Sequence, residues 1–156
     1  MYDAAKYDIR DDLTAAHLRA WKRLATPGTW WDGARRVAIA AEARNAADCG
    51  HCADCKAALS PYAVDGSHRS LGDLPDGIVE IVHRIATDPG RLTRAWFDRA
   101  IDDGVSDAEF VETVGIVATV VAVDAFTRAI GLPPHPLPAP EYGAPSRARP
   151  AGVKLG

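Results

Sequence analysis

The sequence predicts an all-α fold of about six helices, and three observations support it. Apolar residues recur at intervals of three and four in most segments, the spacing that places them on one face of a helix. Turn-forming residues, chiefly Gly and Pro, separate these segments. No stretch alternates between polar and apolar residues as a half-buried strand would. A chain of 156 residues is also long enough to bury one core.

The first half of the chain carries three predicted helices. Residues 12–25 form the first, because their apolar positions share one helical face. The second covers residues 32–47, with Asp32 as its N-cap and many Ala side chains that allow close packing. The third is short, carries the cysteines and ends at Ser60-Pro61.

The second half carries the fourth and fifth predicted helices. A loop covers residues 62–73, and Pro75 then marks the start of a helix that the turn at 88–90 ends. A fifth helix follows this turn and ends near Gly104.

The sixth predicted helix, residues 107–130, is the longest. Ser106 and Glu109 form a capping box at its start, and Gly131 and Pro133 end it. Its residues are apolar almost all round, a pattern typical of a central core helix or a subunit interface.

The last segment of the chain differs in composition from the rest. Seven of residues 132–156 are Pro, and Pro-rich segments adopt extended conformations. We therefore predict a helical domain over residues 10–132 and a Pro-rich tail or linker over residues 133–156.

Composition bears on partners and location. The formal net charge of −3 argues against a nucleic acid partner, which needs a basic face. Six charged residues among the first twelve argue against a signal peptide. The longest uncharged stretch of the apolar region, residues 113–123, is shorter than the roughly 20 residues of a membrane span. We expect a cytoplasmic protein, and the excess of Arg over Lys fits a GC-rich bacterial genome.

The strongest chemical signal is a run of cysteines at intervals of three: Cys49, Cys52 and Cys55. Asp48 is a candidate N-cap, and a helix start favours the thiolate, which is the reactive form of cysteine. His51 or Lys56 could act as a proton partner. In a reducing compartment, such a run is typical of catalytic, redox-active or metal-binding cysteines.

Metal binding is an alternative function for this run. A structural zinc site needs four ligands, usually from two separated pairs, and the sequence has no second Cys pair, although His68 or His83 could reach the cysteines. A ferredoxin-type cluster would need a fourth cysteine where Leu59 stands. The cysteines could also be small buried apolar residues. We predict no metal or cofactor, and we interpret Glu80 and His83 as a surface pair.

Two segments carry a family resemblance: residues 34–59, ARRVAIAAEARNAADCGHCADCKAAL, and residues 88–133. They resemble the AhpD-like alkylhydroperoxidase branch of the carboxymuconolactone decarboxylase superfamily, over about residues 30–133. The resemblance implies an AhpD-like helical bundle that assembles into trimers or hexamers. It also implies an antioxidant, peroxidase-related oxidoreductase that uses a Cys-x-x-Cys dithiol to reduce hydroperoxides or exchange disulfides, with a dithiol or lipoyl-type reductant.

The family pattern also suggests roles for individual residues. Its best match implies Cys52 and Cys55 as the working pair, with Cys55 attacking the peroxide and Cys52 resolving the product. Cys49 would be an additional exchange thiol, and His51 or Glu42 would handle protons. In this match Leu59 and Ala40 occupy the family's His and Glu positions. A catalytically degenerate oligomerisation module, possibly half of a longer duplicated protein, and a metal-binding variant are the alternatives.

Overall fold

A computed structural model describes residues 1–148 of the chain. Within these residues it contains six α-helices and no β-strand, so the prediction of an all-α fold of about six helices is confirmed. The helices are α1 (Asp11–Ala25), α2 (Gly33–Asn45), α3 (Gly50–Ala57), α4 (Asp76–Thr87), α5 (Arg94–Asp102) and α6 (Asp107–Ala129). The predicted capping box at the start of α6 is present, with both of its hydrogen bonds formed.

The connection between α2 and α3 differs from the prediction. The predicted second helix extended to residue 47, but α2 ends at Asn45 and a 3₁₀ turn follows over Ala46–Asp48. Cys49 is extended (φ −81°, ψ 116°) and is the N-cap of α3, a position predicted for Asp48. The 3₁₀ turn and the extended Cys49 change the direction of the chain, so α3 begins directly after Cys49 as a helix separate from α2.

Three helices build the core. α4 and α6 share the most extensive contact, and α2 packs against both of them. The fully buried apolar side chains at the centre of this packing come from all three helices: Ile39, Ala40, Ile81, Val82, Val117 and Val120. Burial of such side chains is the largest favourable contribution to the free energy of folding.

An ion pair joins α2 to α6 inside this packing. The guanidinium of Arg44 donates two hydrogen bonds of 2.8 Å to the Asp124 carboxylate and a third, of 2.7 Å, to the carbonyl of His135. The Asp124 side chain is 3% exposed and that of Arg44 is 24% exposed. The pair therefore fixes the position of α6 and also anchors the segment that follows it.

α6 has one buried and one exposed face. Thr113, Asp124 and Thr127 lie on the buried face together with its core valines. The opposite face exposes mostly small or apolar residues: Val111, Gly115, Ala118, Val121, Ala122 and Ala125. By length and composition alone α6 could cross a membrane, a property that it shares with the core helices of many soluble proteins.

The segment after α6 is extended, as its Pro content predicts, and up to residue 148 it packs against the helical body. Trp21 Nε1 donates to the carbonyl of Pro136 at 2.7 Å, and the N–H of Glu141 donates to the carbonyl of Ala25 at 2.9 Å. The remainder of the predicted tail, residues 149–156, lies outside the described residues.

We predict that Asp124→Ala lowers the free energy of unfolding by about 2–4 kcal/mol, because it leaves the Arg44 guanidinium without its carboxylate. Urea denaturation followed by circular dichroism measures this change. Asp98→Ala is the matched control, because Asp98 pairs with Arg94 on the surface and exposed pairs contribute at most about 1 kcal/mol. Equal effects of the two substitutions would refute a structural role for the Arg44–Asp124 pair.

Candidate functional site

Two cysteines and two histidines converge where α3 begins. Cys49 is the N-cap of α3 and Cys52 lies in its first turn, while His83 comes from α4 and His68 from the loop before α4. One donor atom from each of these residues lies within 4.8 Å of the other three. We call these four residues the Cys–His cluster.

Cys52 is the centre of the Cys–His cluster. Its Sγ lies 3.2 Å from Nδ1 of His83 and 3.3 Å from Nδ1 of His68. Cys49 Sγ lies 3.7 Å from the same Nδ1 of His68. The two imidazole rings are 4.4 Å apart between centroids. Each thiol is therefore within hydrogen-bonding distance of an imidazole nitrogen, and Cys52 is within reach of two.

A carboxylate contacts the far nitrogen of each imidazole. His83 Nε2 donates to Glu42 at 2.8 Å, and His68 Nε2 donates to Glu80 at 2.7 Å. Since the carboxylate accepts from Nε2, the proton of a neutral imidazole resides there and the Nδ1 lone pair faces the sulfurs. Both histidines thus have the same orientation relative to the cysteines.

Glu42 is fully buried and is held by several donors besides His83. The N–H of Leu71 donates to it at 3.0 Å, and Nδ2 of Asn45 donates at 2.8 Å. Ser70 Oγ lies 3.4 Å away. Because Ser70 and Leu71 belong to the loop that carries His68, Glu42 positions both histidines: one by direct contact and the other through the loop.

These contacts alter the ionisation of the Cys–His cluster. Burial by itself would raise the pKa of the Cys49 thiol, but the Arg69 N–H and the nearby Cys52 and His68 lower this pKa to about 6. The pKa of Cys52 is also lowered, since His68 and His83 outweigh the effect of burial. Burial would lower the pKa of His68, whereas Cys52 and Glu80 raise it to about 10. The contacts favour thiolates beside protonated imidazoles.

Cys55 lies apart from the Cys–His cluster. Its Sγ is 3.6 Å from Nε2 of His51, and burial raises the pKa of its thiol. The structure thus brings together Cys49 and Cys52, with Glu42 hydrogen-bonded to His83. Cys55 instead contacts His51, whose ring packs against that of His68 with 4.9 Å between centroids. The assignment of Cys52 and Cys55 as the working pair stays a prediction that activity measurements can test.

A cavity of about 290 Å³ borders the two cluster thiols. Its walls are mainly small side chains, and it is lined by Ala46, Ala47, Cys49, Cys52, Ala53, Lys56, Ala86 and Thr87. Both thiols are at most 4% exposed. A slender substrate entering this cavity would meet them directly.

The prediction of Glu80 and His83 as a surface pair is wrong. His83 is fully buried and contacts Glu42, which is 41 residues earlier in the chain, whereas Glu80 contacts His68 and Trp96 Nε1. One signal was available in the sequence, because His83 follows the apolar run of α4 and shares its buried side. His68 has no comparable signal, since its loop has no periodic pattern.

No protein-family model, curated protein or solved structure matches this chain. The AhpD-like resemblance of residues 30–133 therefore remains a prediction from the sequence, although the all-helical fold that it implies is present. The geometry of the Cys–His cluster is the basis on which a function can be assigned.

Proposed function

We propose that the protein is a peroxidase-related thiol oxidoreductase whose working dithiol is Cys49 and Cys52. One observation carries the proposal: two thiols lie next to two imidazoles beside a cavity, and each imidazole donates its other N–H to a carboxylate. Thiol peroxidases need a thiolate, a proton donor for the leaving oxygen and a second thiol to resolve the product. The Cys–His cluster contains a candidate for each of these groups.

Cys52 is the better candidate for the attacking thiol, because its Sγ contacts both imidazoles. The Cys52 thiolate attacks one oxygen of a hydroperoxide, so that an S–O bond forms and the O–O bond breaks. Protonated His83 gives its Nδ1 proton to the leaving alkoxide, which departs as an alcohol. The products are a Cys52 sulfenic acid and a neutral imidazole that Glu42 keeps oriented.

Cys49 then resolves the sulfenic acid. Its thiolate attacks the sulfur of Cys52, an S–S bond forms, the S–O bond breaks, and the hydroxide leaves as water after taking a proton from protonated His68. A dithiol reductant, such as a lipoyl group, returns the disulfide to two thiols by exchange and is itself oxidised. The small side chains that line the cavity leave space for an unbranched reductant of this kind.

We predict that Cys52→Ser and Cys49→Ser each reduce hydroperoxide turnover with a dithiol reductant to background. Cys52→Ser removes the attacking thiol, whereas Cys49→Ser stops the reaction at the sulfenic acid. Turnover is followed as reductant oxidation, and mass spectrometry of Cys49→Ser after one equivalent of hydroperoxide should show the gain of one oxygen atom.

Cys55→Ser is the matched control, because Cys55 is a buried cysteine of the same helix outside the Cys–His cluster. It should retain turnover. Loss of turnover in Cys55→Ser with retention in Cys49→Ser would instead establish the Cys52/Cys55 pair that the family resemblance implies. A metal-free wild type without turnover would favour the degenerate module.

We further predict that Glu42→Gln slows oxidation of the dithiol by hydroperoxide about 10- to 100-fold, because His83 loses the carboxylate that orients it and stabilises its charge. Stopped-flow measurement of thiol loss gives this rate. Glu112→Gln is the control, because it removes another mostly buried carboxylate, the partner of Arg36. Equal slowing in the two variants would mean that only general stability is affected.

We also propose that the chain forms a homo-oligomer, as the sequence and the family resemblance imply. The sequence predicts that the Ala-rich second helix and the sixth helix form the interface, but Ile39, Ala40 and Ala43 of α2 are buried in the core, so we assign the interface to the exposed face of α6. The small side chains at 115, 118, 122 and 125 recur at intervals of three and four, a spacing that allows two helices to approach closely. An oligomer of this kind does not require catalysis and would also serve a degenerate module.

We predict that light scattering gives a mass several times the 16.6 kDa of the chain, and that Ala118→Glu reduces it by placing a charge in the interface. Glu substitution at Ala57, which is exposed at the end of α3, is the control and should leave the mass unchanged. A monomer across a wide concentration range would refute this assembly.

A further inference from the structure

We propose that Cys49, Cys52, His68 and His83 bind a divalent metal ion of the zinc class in tetrahedral geometry, and that the bound metal holds the dithiol in reserve until an oxidant releases it. The metal-binding part of this inference depends only on the geometry of the Cys–His cluster. Its redox consequence rests on the proposed function.

The donor set suits zinc. Two thiolates and two imidazoles form one of the common structural zinc sets, and tetrahedral S₂N₂ coordination is typical of Zn²⁺. All four donors come from protein side chains, and two thiolates balance the charge of a dication. The separated second pair that zinc sites usually need is supplied here by histidines 16 and 31 residues beyond Cys52.

The distances fit such a site. Zn–S bonds of about 2.3 Å and Zn–N bonds of about 2.05 Å at tetrahedral angles place sulfur about 3.6 Å from nitrogen. The three S···N distances in the Cys–His cluster are 3.2, 3.3 and 3.7 Å. Shifts of a few tenths of an ångström would bring these three distances to the ideal value, and all four donor atoms lie within 4.8 Å of one another.

The histidine orientations suit a cation. Each Nε2 donates to a carboxylate, so the lone pairs of both Nδ1 atoms face the sulfurs when the imidazoles are neutral. Without a metal, the Cys52 thiol can donate its proton to His83 Nδ1 at 3.2 Å and the Cys49 thiol can donate its proton to His68 Nδ1 at 3.7 Å. A divalent metal ion would replace these two protons and accept both nitrogen lone pairs and both thiolates at once.

The groups around the donors resemble the outer shell of a metal centre. Metal-binding histidines nearly always donate their other N–H to a carboxylate or a carbonyl, and here Glu42 and Glu80 accept from them. The N–H of Arg69 donates to Cys49 Sγ at 3.5 Å, which stabilises negative charge on that sulfur. The donors are thus held in place before any metal arrives.

A site with four protein donors leaves no open position for substrate, so a bound metal would occupy the very thiols that the proposed reaction uses. Oxidation reverses this state. A hydroperoxide takes two electrons from the two thiolates and two protons from water, which yields the disulfide, an alcohol, a water molecule and the free metal ion. A disulfide offers no thiolate ligands, so the metal does not rebind until a dithiol reduces the disulfide.

The test uses the full chain, stripped of metal and reduced. Co²⁺ is added first, because its visible absorption reports tetrahedral thiolate coordination, and Zn²⁺ is then added to displace it. We expect one ion per chain. Loss of an outer-shell partner weakens metal binding about 10- to 100-fold. Cys52→Ser and His68→Gln each remove a direct ligand, so each should weaken Co²⁺ binding by more than this.

Cys55→Ser is the matched control and should bind Co²⁺ with the wild-type spectrum. His68 is chosen over His83 because it lies in a loop and not in the core, and circular dichroism checks that each variant is folded. Absence of a tetrahedral Co²⁺ spectrum in the folded wild type, or a spectrum unaffected by both ligand substitutions, would overturn the metal site.

The redox consequence is tested with one equivalent of hydroperoxide added to the zinc-loaded protein, with a chromogenic chelator present. We expect release of one zinc ion together with formation of a Cys49–Cys52 disulfide. Zinc that stays bound while the metal-free protein turns over would overturn the reserve role alone. Zinc binding in a protein that never turns over would overturn the proposed function and leave the metal site standing.

Discussion

The buried carboxylate of Glu42 is the group on which the rest of the site depends. It accepts hydrogen bonds from α4 through His83, from the loop before α4 through Leu71, and from its own helix through Asn45. A buried carboxylate without partners costs several kcal/mol, so the folded state requires all three elements to be in place. Folding around Glu42 thereby brings His83, and the loop that carries His68, to the start of α3.

A continuous polar chain extends from Glu42 across the molecule. It passes through the Cys–His cluster to Glu80, which accepts a 3.0 Å hydrogen bond from Trp96 in α5. The chain connects four of the six helices, counting α3 and α4, so the positions of the thiols follow the packing of the helices. The proposed oxidation or metal binding would alter contacts on which the packing depends, so the proposed chemistry and the stability of the fold would be coupled.

The sequence predicts the helices well because their signals are local. The capping box at Ser106 and the apolar spacing of α4 lie within single segments, and both are present in the structure. The site depends on contacts between residues far apart in the chain, such as Glu42 with His83, and no local pattern records these. The cysteine run is evident in the sequence, but which of its thiols contact His68 and His83 is not, because the orientation of each thiol follows from the 3₁₀ turn before Cys49.

The composition of the cluster is itself an argument for chemistry. Glu42, His83 and Cys52 are at most 4% exposed, in a domain whose buried side chains are mostly apolar. Well-packed apolar side chains in such positions are often as stable as a buried polar network or more so. Proteins accept local departures from that rule chiefly at functional sites. The convergence of four such donors beside a cavity is the reason to place the proposed chemistry at the start of α3.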